Sequence, residues 1–452
     1  MPYPDPTTRN RGFASVMALM MVALFAALAT AHFYSATISL RQSKSQADVQ
    51  AAALEAGSGV EYFALVMSQQ ALPGGVSGTD LLDAVAADLS DALDGSAVLD
   101  GGSITYADGQ ITVPPISTGA VDRDFRASLA LEGDDTLGLT VVGRAGAVTR
   151  TVRMHFRPVS QVHPVFNYGI AAKGPIRLQN RIEIRGKTEP NEASIFSGAS
   201  GTAFLIENRL LCDGDIYAAD PDAEVILSGN GTVGGIDMSA PAVYEHVHVG
   251  VGGADFPSMA PGLFEPYVEN IVDTGTDTQG EVLENIRVVS GTNPDFGQGT
   301  ELRGVVYIEA GNEVTFSQNT VIKGIVVSEE GDPATDSILF ENQTEFNGLE
   351  DLPDDPKWDE LRKLAGCILL APGFKVTFQN RSTVLSGYLG ADGFSFENRF
   401  EGEIKGGIIS YGEDPLTAQN RMEITIDRMD YDVNPPPGFI LPMVLEPQPA
   451  TY

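Results

Sequence analysis

Two imidazoles stand two residues apart in Tyr244-Glu245-His246-Val247-His248. On a strand that spacing puts both on one side, where they could share a metal ion. They are two of the chain's five histidines, and no third ligand stands beside them. An exposed strand face accounts for the pair more simply than a metal centre. A second set of reactive groups is acidic: Asp213, Asp215, Asp392, Glu401 and Glu403. They fall at turns or at outward strand positions, and no spacing pairs two of them for acid–base work on one substrate atom. Cys212 and Cys367 sit among apolar neighbours, LLCDG and AGCILL. Two buried free thiols and one disulfide are both open. Without a CxxC there is no zinc or thioredoxin-type motif. No GxSxG elbow, Walker loop or HExxH occurs either, and no Rossmann glycine fingerprint is expected. The expectation is a non-enzyme, with no catalytic residue, metal ligand or cofactor.

The chemistry that does recur is that of the side-chain amide. A tetrad appears as LQNR (178–181), IENR (206–209), FENQ (340–343), FQNR (378–381), FENR (396–399) and AQNR (418–421), with weaker copies LENI (283–286) and SQNT (317–320). Residues two apart on a strand share a face. Asn180 is in phase with Ile176, Leu178, Ile182 and Ile184, and Asn420 with Leu416, Ala418, Met422 and Ile424. Period-two reading therefore places Asn180, Asn208, Asn342, Asn380, Asn398 and Asn420 on the apolar, inward face. A buried amide is costly unless its donors and acceptors are satisfied. Identical amides stacked coil over coil would satisfy one another as an asparagine ladder.

The elements that must position such a ladder follow from its spacing. Asn380 to Asn398 is 18 residues, Asn398 to Asn420 is 22 and Asn319 to Asn342 is 23. Asn342 to Asn380 is 38, but the interval contains DLPDDPKWDELRKLAG (351–366), read as a compact helical insert; without its 16 residues the interval is 22. Coils of this length fit a parallel β-solenoid, in which each coil buries its inner face against its neighbours. The competing fold is a β-sandwich whose asparagines fill left-handed turn positions. Residues 238–300 are irregular and rich in Pro and Gly, with FEPYVENIV (264–272) read as a short helix.

Ahead of the repeats the patterning changes twice. Residues 12–40, GFASVMALMMVALFAALATAHFYSATISL, form a 29-residue stretch without Asp, Glu, Lys or Arg. About 20 apolar residues suffice to cross a bilayer as a helix. Beyond Arg41 the apolar positions Val49, Ala53, Ala56, Val60, Phe63 and Met67 mark one helical stripe. Gly57 and Gly59 weaken that helix by roughly 1 kcal/mol each relative to Ala. Leu72-Pro73-Gly74-Gly75 ends it, and a second helix runs from Thr79 to about Leu93. From Ser103 the period becomes two, with a hairpin at Asp108-Gly109 and further strands to about residue 160.

The N-terminus resembles that of type IV pilin-like proteins. The residues that carry the likeness are the short basic leader with Arg9 and Arg11 ending in Gly12, Phe13 after it, the apolar helix, and AAALEAGSGVEYFA on its amphipathic extension. The resemblance implies cleavage by a prepilin peptidase between Gly12 and Phe13, with methylation of the new amino terminus. It implies packing against other pilin-like subunits through the helix. Shaft-forming pilins carry Glu at the fifth mature position, where this chain has Met17. That departure moves the likeness toward PilX-type minor pilins and the tip pseudopilin of type II secretion. Ala29-Thr30-Ala31 also fits a signal-peptidase site, which keeps a cleaved secretory signal as the alternative.

The organisation expected is a leader (1–12), a transmembrane and amphipathic pilin-type helix (13–70), a small α/β pilin-like head (71–160), a β-solenoid with an Asn ladder (161–432) and a Pro-rich tail (433–452). The fold class is mainly β. With 61 acidic against 28 basic residues and a net charge of −33, nucleic acid is disfavoured as a partner. The function expected is a minor pilin-like component of a type IV pilus or type II secretion assembly. It would be anchored in the inner membrane with its N-terminus cytoplasmic and its body periplasmic or at the cell surface, in a tip, adhesion or scaffold role. The alternative is a surface-anchored β-helix that binds or cleaves polysaccharide, with surface polysaccharide as the partner.

Overall fold

The computed structural model describes residues 11–449 other than 71, 73–75, 134–135, 161–162, 254–255, 385, 429–435 and 442. The chain divides into two compact units, Met1–Val159 with Met443–Tyr452, and Ser160–Pro442.

In the first unit, helix α1 (Arg11–Ser68) runs unbroken for 58 residues, roughly 87 Å at 1.5 Å per residue. Its two halves meet different surroundings. Phe13, Leu19 and Phe33 are 73%, 72% and 76% exposed, and none of the apolar window is buried. From Ala52 onward one face packs, through Ala56, Val60, Phe63 and Met67. Ala53, expected on this stripe, is exposed. The sheet explains the shift: a Cβ added at Gly143 would lie 2.3 Å from the Ala56 nitrogen and 2.4 Å from the Ala52 oxygen, so the strand rests directly on the helix backbone along that side. Gly59 is close-packed too, with Phe125 and Val141 both 2.7 Å from where its Cβ would be, whereas Gly57 faces open space.

That sheet is antiparallel: β1 (Thr105–Ala107), β2 (Gln110–Ser117), β3 (Arg123–Leu131), β4 (Leu137–Ala145) and β5 (Val148–Ser160) in order. Asp108 and Gly109 take φ of 53° and 70° at the first hairpin, the pair of positive values that a type I′ turn requires. Helix α2 (Gly78–Leu93) buries Leu81, Leu82, Val85, Leu89 and Leu93. The segment expected as a Pro-rich tail differs from its reading, because Met443–Pro447 is a sixth strand beside β5 with Met443 and Leu445 in the core.

The second unit is a solenoid of stacked parallel coils. Its stacking order is not its chain order. Strand Ile176–Gly186 lies between Thr202–Cys212 on one side and Leu416–Asp427 on the other, so Asn180 is opposite both Asn208 and Asn420. The chain thus begins inside the stack and builds outward to Glu224–Val233. It restarts at Asn270–Val272 and Val282–Val288. Coil after coil is added until the last docks on the first. The segment before the restart holds 3-10 turns at Pro241–His246, Pro261–Leu263 and Glu265–Tyr267; the helix read in FEPYVENIV is one such turn followed by a strand. Ser258–Met259 pairs with Phe439–Ile440, and Phe264 and Phe439 cover an outer apolar face that includes Leu370 and Tyr388.

Residues 351–366 form short helical turns, with Trp358 only 1% exposed. The insert leaves the register intact, since Phe340 remains opposite Phe378. Inside the stack the rings of Phe296, Phe316, Phe340, Phe378 and Phe396 form a column. Successive centroids are 5.3, 4.9, 4.6 and 5.5 Å apart with interplanar angles of 5–14°. Strands about 4.8 Å apart impose that spacing on any side chain repeated in register.

Candidate functional site

The tetrads build one corner of the solenoid. All six asparagines have positive φ: 73° at Asn180, 68° at Asn208, 55° at Asn342, 55° at Asn380, 52° at Asn398 and 70° at Asn420. Asn is among the few residues that tolerate the left-handed region. A residue in that region leaves the pleat alternation, so the chain bends at each Asn and the flanking apolar residues keep facing in. The inward placement of the asparagines is thereby corrected: Asn380 is half-buried and the other five are exposed. What points inward is the first residue of each tetrad, such as Leu178, Phe340 or Phe378. The fold is the solenoid, while the asparagines have the backbone expected of the competing sandwich.

The amides still meet, on the surface. Asn208 Nδ2 donates to Asn180 Oδ1 at 3.0 Å, Asn180 to Asn420 at 3.2 Å, and Asn420 to Asn398 at 2.7 Å. Beside this row runs a lattice of ion pairs. Arg181 reaches Glu183 at 3.3 Å and Glu423 at 3.0 Å; Arg421 reaches Glu423 at 2.9 Å and Glu401 at 3.5 Å; Arg399 reaches Glu401 at 2.8 Å. The Arg421 hydrogen bond holds the Glu423 carboxyl below its usual range.

From the coil of Asn398 onward the corner changes. Four successive coils carry two positive-φ residues rather than one: Gln318-Asn319, Asn342-Gln343, Asn380-Arg381 and Asn398-Arg399. The doubled bend opens a groove of about 600 Å³ lined by these side chains. Among the described residues the amides of Gln318, Asn319, Asn342, Gln343 and Asn380 bond to no other side chain. The Arg381 guanidinium, among the described residues, has neither a hydrogen bond nor an ion pair. The sequence explains the second fact: two residues beyond Arg181, Arg421 and Arg399 stands a Glu, but two beyond Arg381 stands Thr383. The run QN–NQ–NR–NR was legible in the chain; the doubled bend that makes it a groove was not.

No family model matches the sequence, and no curated protein does. Among solved structures, the competence-associated pilin ComZ from Thermus thermophilus is similar at 11% identity and a TM-score of 0.27, covering 89% of this chain and 97% of that one. A score that low carries no inference.

The other groups singled out in the sequence lie elsewhere. His246 Nδ1 is 2.7 Å from Asp215 Oδ1 and His248 Nε2 is 2.8 Å from Asp215 Oδ2, and the His248 ring stacks on Tyr217 at 4.6 Å. Asp215, one of the acids noted above, is thus held by both rings. The contact ties Val247–Val249 to its neighbour Ile216–Ala218. Among the described residues no group of three or more His, Cys, Asp or Glu has an arrangement that could hold a metal. Glu401 belongs to the arginine lattice, and Glu403 pairs with Lys187 at 2.7 Å. Asp392 lines a separate cleft with Lys173 and Tyr411, and burial raises its carboxyl pKa. Cys212 and Cys367 are free and buried, and burial pushes the Cys212 thiol up to about 12.

The expectation of no Rossmann glycine fingerprint is corrected in spacing alone, because Gly229-Asn230-Gly231-Thr232-Val233-Gly234 has that spacing. Its first five residues lie in the strand Glu224–Val233, and the motif does not stand at a strand-to-helix turn. Its glycines answer to packing: a Cβ at Gly231 would lie 1.7 Å from the Leu210 oxygen. Gly12 and Phe13 are in the first turn of α1, and the leader before Arg11 lies outside the described residues.

Proposed function

We propose that this protein is a membrane-anchored, minor pilin-like structural component of a type IV pilus or type II secretion assembly, with the solenoid displayed outside the cytoplasm. The observation that carries the reading is the division of α1: an apolar first half with no protein cover, continuous with a second half packed on an antiparallel sheet. The first half suits a lipid or helix-bundle environment. Thr30 Oγ1 donates to the Ala26 carbonyl at 2.7 Å and Thr37 Oγ1 to Phe33 at 2.8 Å, so two hydroxyls are satisfied within the helix itself. Processing falls between Gly12 and Phe13 in this reading. Met17 in place of an acidic residue favours a tip or minor position over a shaft subunit.

Membrane attachment is tested by alkaline carbonate extraction of cells expressing the full chain. Retention of the protein in the pellet, and its release on deletion of residues 13–40, is the expected result. A wild-type protein found in the soluble fraction would overturn the reading. The polysaccharide-binding alternative has one observation in its favour, the open amide groove.

A further inference from the structure

We infer that the corner groove binds an extended anionic glycan, a polyuronate-type chain running along the solenoid axis. The inference is independent of how the protein is anchored. Its first support is the contrast along a single corner. From Asn208 to Asn398 the amides bond one another; across the next coils Asn380, Asn342 and Gln318, which continue the same column, make no side-chain bond, and neither do Gln343 and Asn319 in the column beside it. Amides left open at a spacing of about 4.8 Å per coil present alternating donors and acceptors. Vicinal sugar hydroxyls, which also both donate and accept, complement such a row. The coil repeat is close to the rise of one sugar unit in an extended chain.

The second support is charge. In a chain of net charge −33, this groove is lined by amides and two guanidiniums with no carboxylate among the lining residues. Arg399 is paired with Glu401. Arg381 is unpaired, because Thr383 occupies the position of the expected glutamate. An exposed guanidinium without a counter-ion, set in a row of amides, is a fixed point for a carboxylate. A peptide fits less well. The backbone N–H groups of Asn319, Gln343 and Arg381 already donate to neighbouring coils, so no strand edge is offered. No apolar pocket for a side chain lines the groove either.

The test uses the full-length protein in detergent micelles and calorimetric titration with three probes of equal length: hexagalacturonate, neutral maltohexaose and a hexaglutamate peptide. Arg381→Gln is a mild variant, since Gln343 already occupies the same position one coil away at φ 73°. Asn342→Gly with Gln343→Gly removes two amides while suiting the positive φ. Hexagalacturonate is expected to bind, weakened about tenfold or more by Arg381→Gln, as for loss of a charged hydrogen bond. The double glycine variant should weaken it several-fold. Absence of hexagalacturonate binding at millimolar concentration overturns the inference. So does equal binding of hexaglutamate or of maltohexaose, or indifference to both variants.

Discussion

Replacing Asn420 by Gly, Ala and Leu separates the two geometries available to the repeated asparagine. At φ 70° an L-residue with a Cβ carries roughly 1–2 kcal/mol of strain. Both Gly and Ala lose the amide bonds to Asn180 and Asn398, so their difference isolates the backbone. Gly is penalised by chain entropy by about 0.5–1 kcal/mol relative to Ala. The net expectation is Ala less stable than Gly by about 0.5–1 kcal/mol. Leu supplies the sign that decides. At an inward position Leu would gain roughly 1.5–3 kcal/mol from burial; at this exposed corner it carries the strain and gains little, so it should fall with Ala. The assay is urea unfolding followed by tryptophan fluorescence. The chain has one tryptophan, Trp358, buried within the solenoid, so the signal reports that unit. A Leu variant more stable than wild type, or Ala more stable than Gly, would refute the corner geometry.

Other outcomes follow from the same packing. Phe378→Ala, in the middle of the ring column with centroids 4.6 and 5.5 Å away, should cost about 3–5 kcal/mol in the Trp358-monitored transition. Gly57→Ala should stabilise the first unit by about 1 kcal/mol through helix propensity, whereas Gly59→Ala should destabilise it because Phe125 and Val141 occupy the space; circular-dichroism melts compare the two. Glu423 has a folded pKa held below its unfolded value, chiefly by the Arg421 hydrogen bond, so its contribution is present above the ordinary glutamate range and is lost as pH falls through it. Unfolding midpoints from neutral to acid pH should therefore fall less steeply for Glu423→Gln than for wild type. Both thiols should resist a thiol reagent in the native protein and react after unfolding, since burial disfavours the thiolate at Cys212 and Cys367.

How much of this could be read from the chain depended on whether the signal was local. The helix and the hairpin at Asp108-Gly109 follow from apolar spacing and turn chemistry, which act over a few residues. The solenoid follows from a repeat longer than any single element, and the insert at 351–366 could be subtracted because the spacing on either side agreed. Period two failed at the asparagines because alternation assumes a flat strand, and a left-handed residue breaks that assumption. The docking of Leu416–Asp427 on Ile176–Gly186 pairs residues about 240 positions apart, and no local pattern encodes it. Nor did the Pro-rich ending announce Met443–Pro447 as a sheet strand, because its partner β5 lies in a different part of the chain. Asp215 between His246 and His248 was invisible for the same reason.

The junction before the apolar helix decides the pilin-like reading most directly. Mass spectrometry of the N-terminal peptide from native protein, recovered from the membrane of its own cell, measures it. The expected result is a mature chain beginning at Phe13 with a methylated amino group. A chain beginning at Met1, or one cut near His32 with the apolar helix removed, would contradict it.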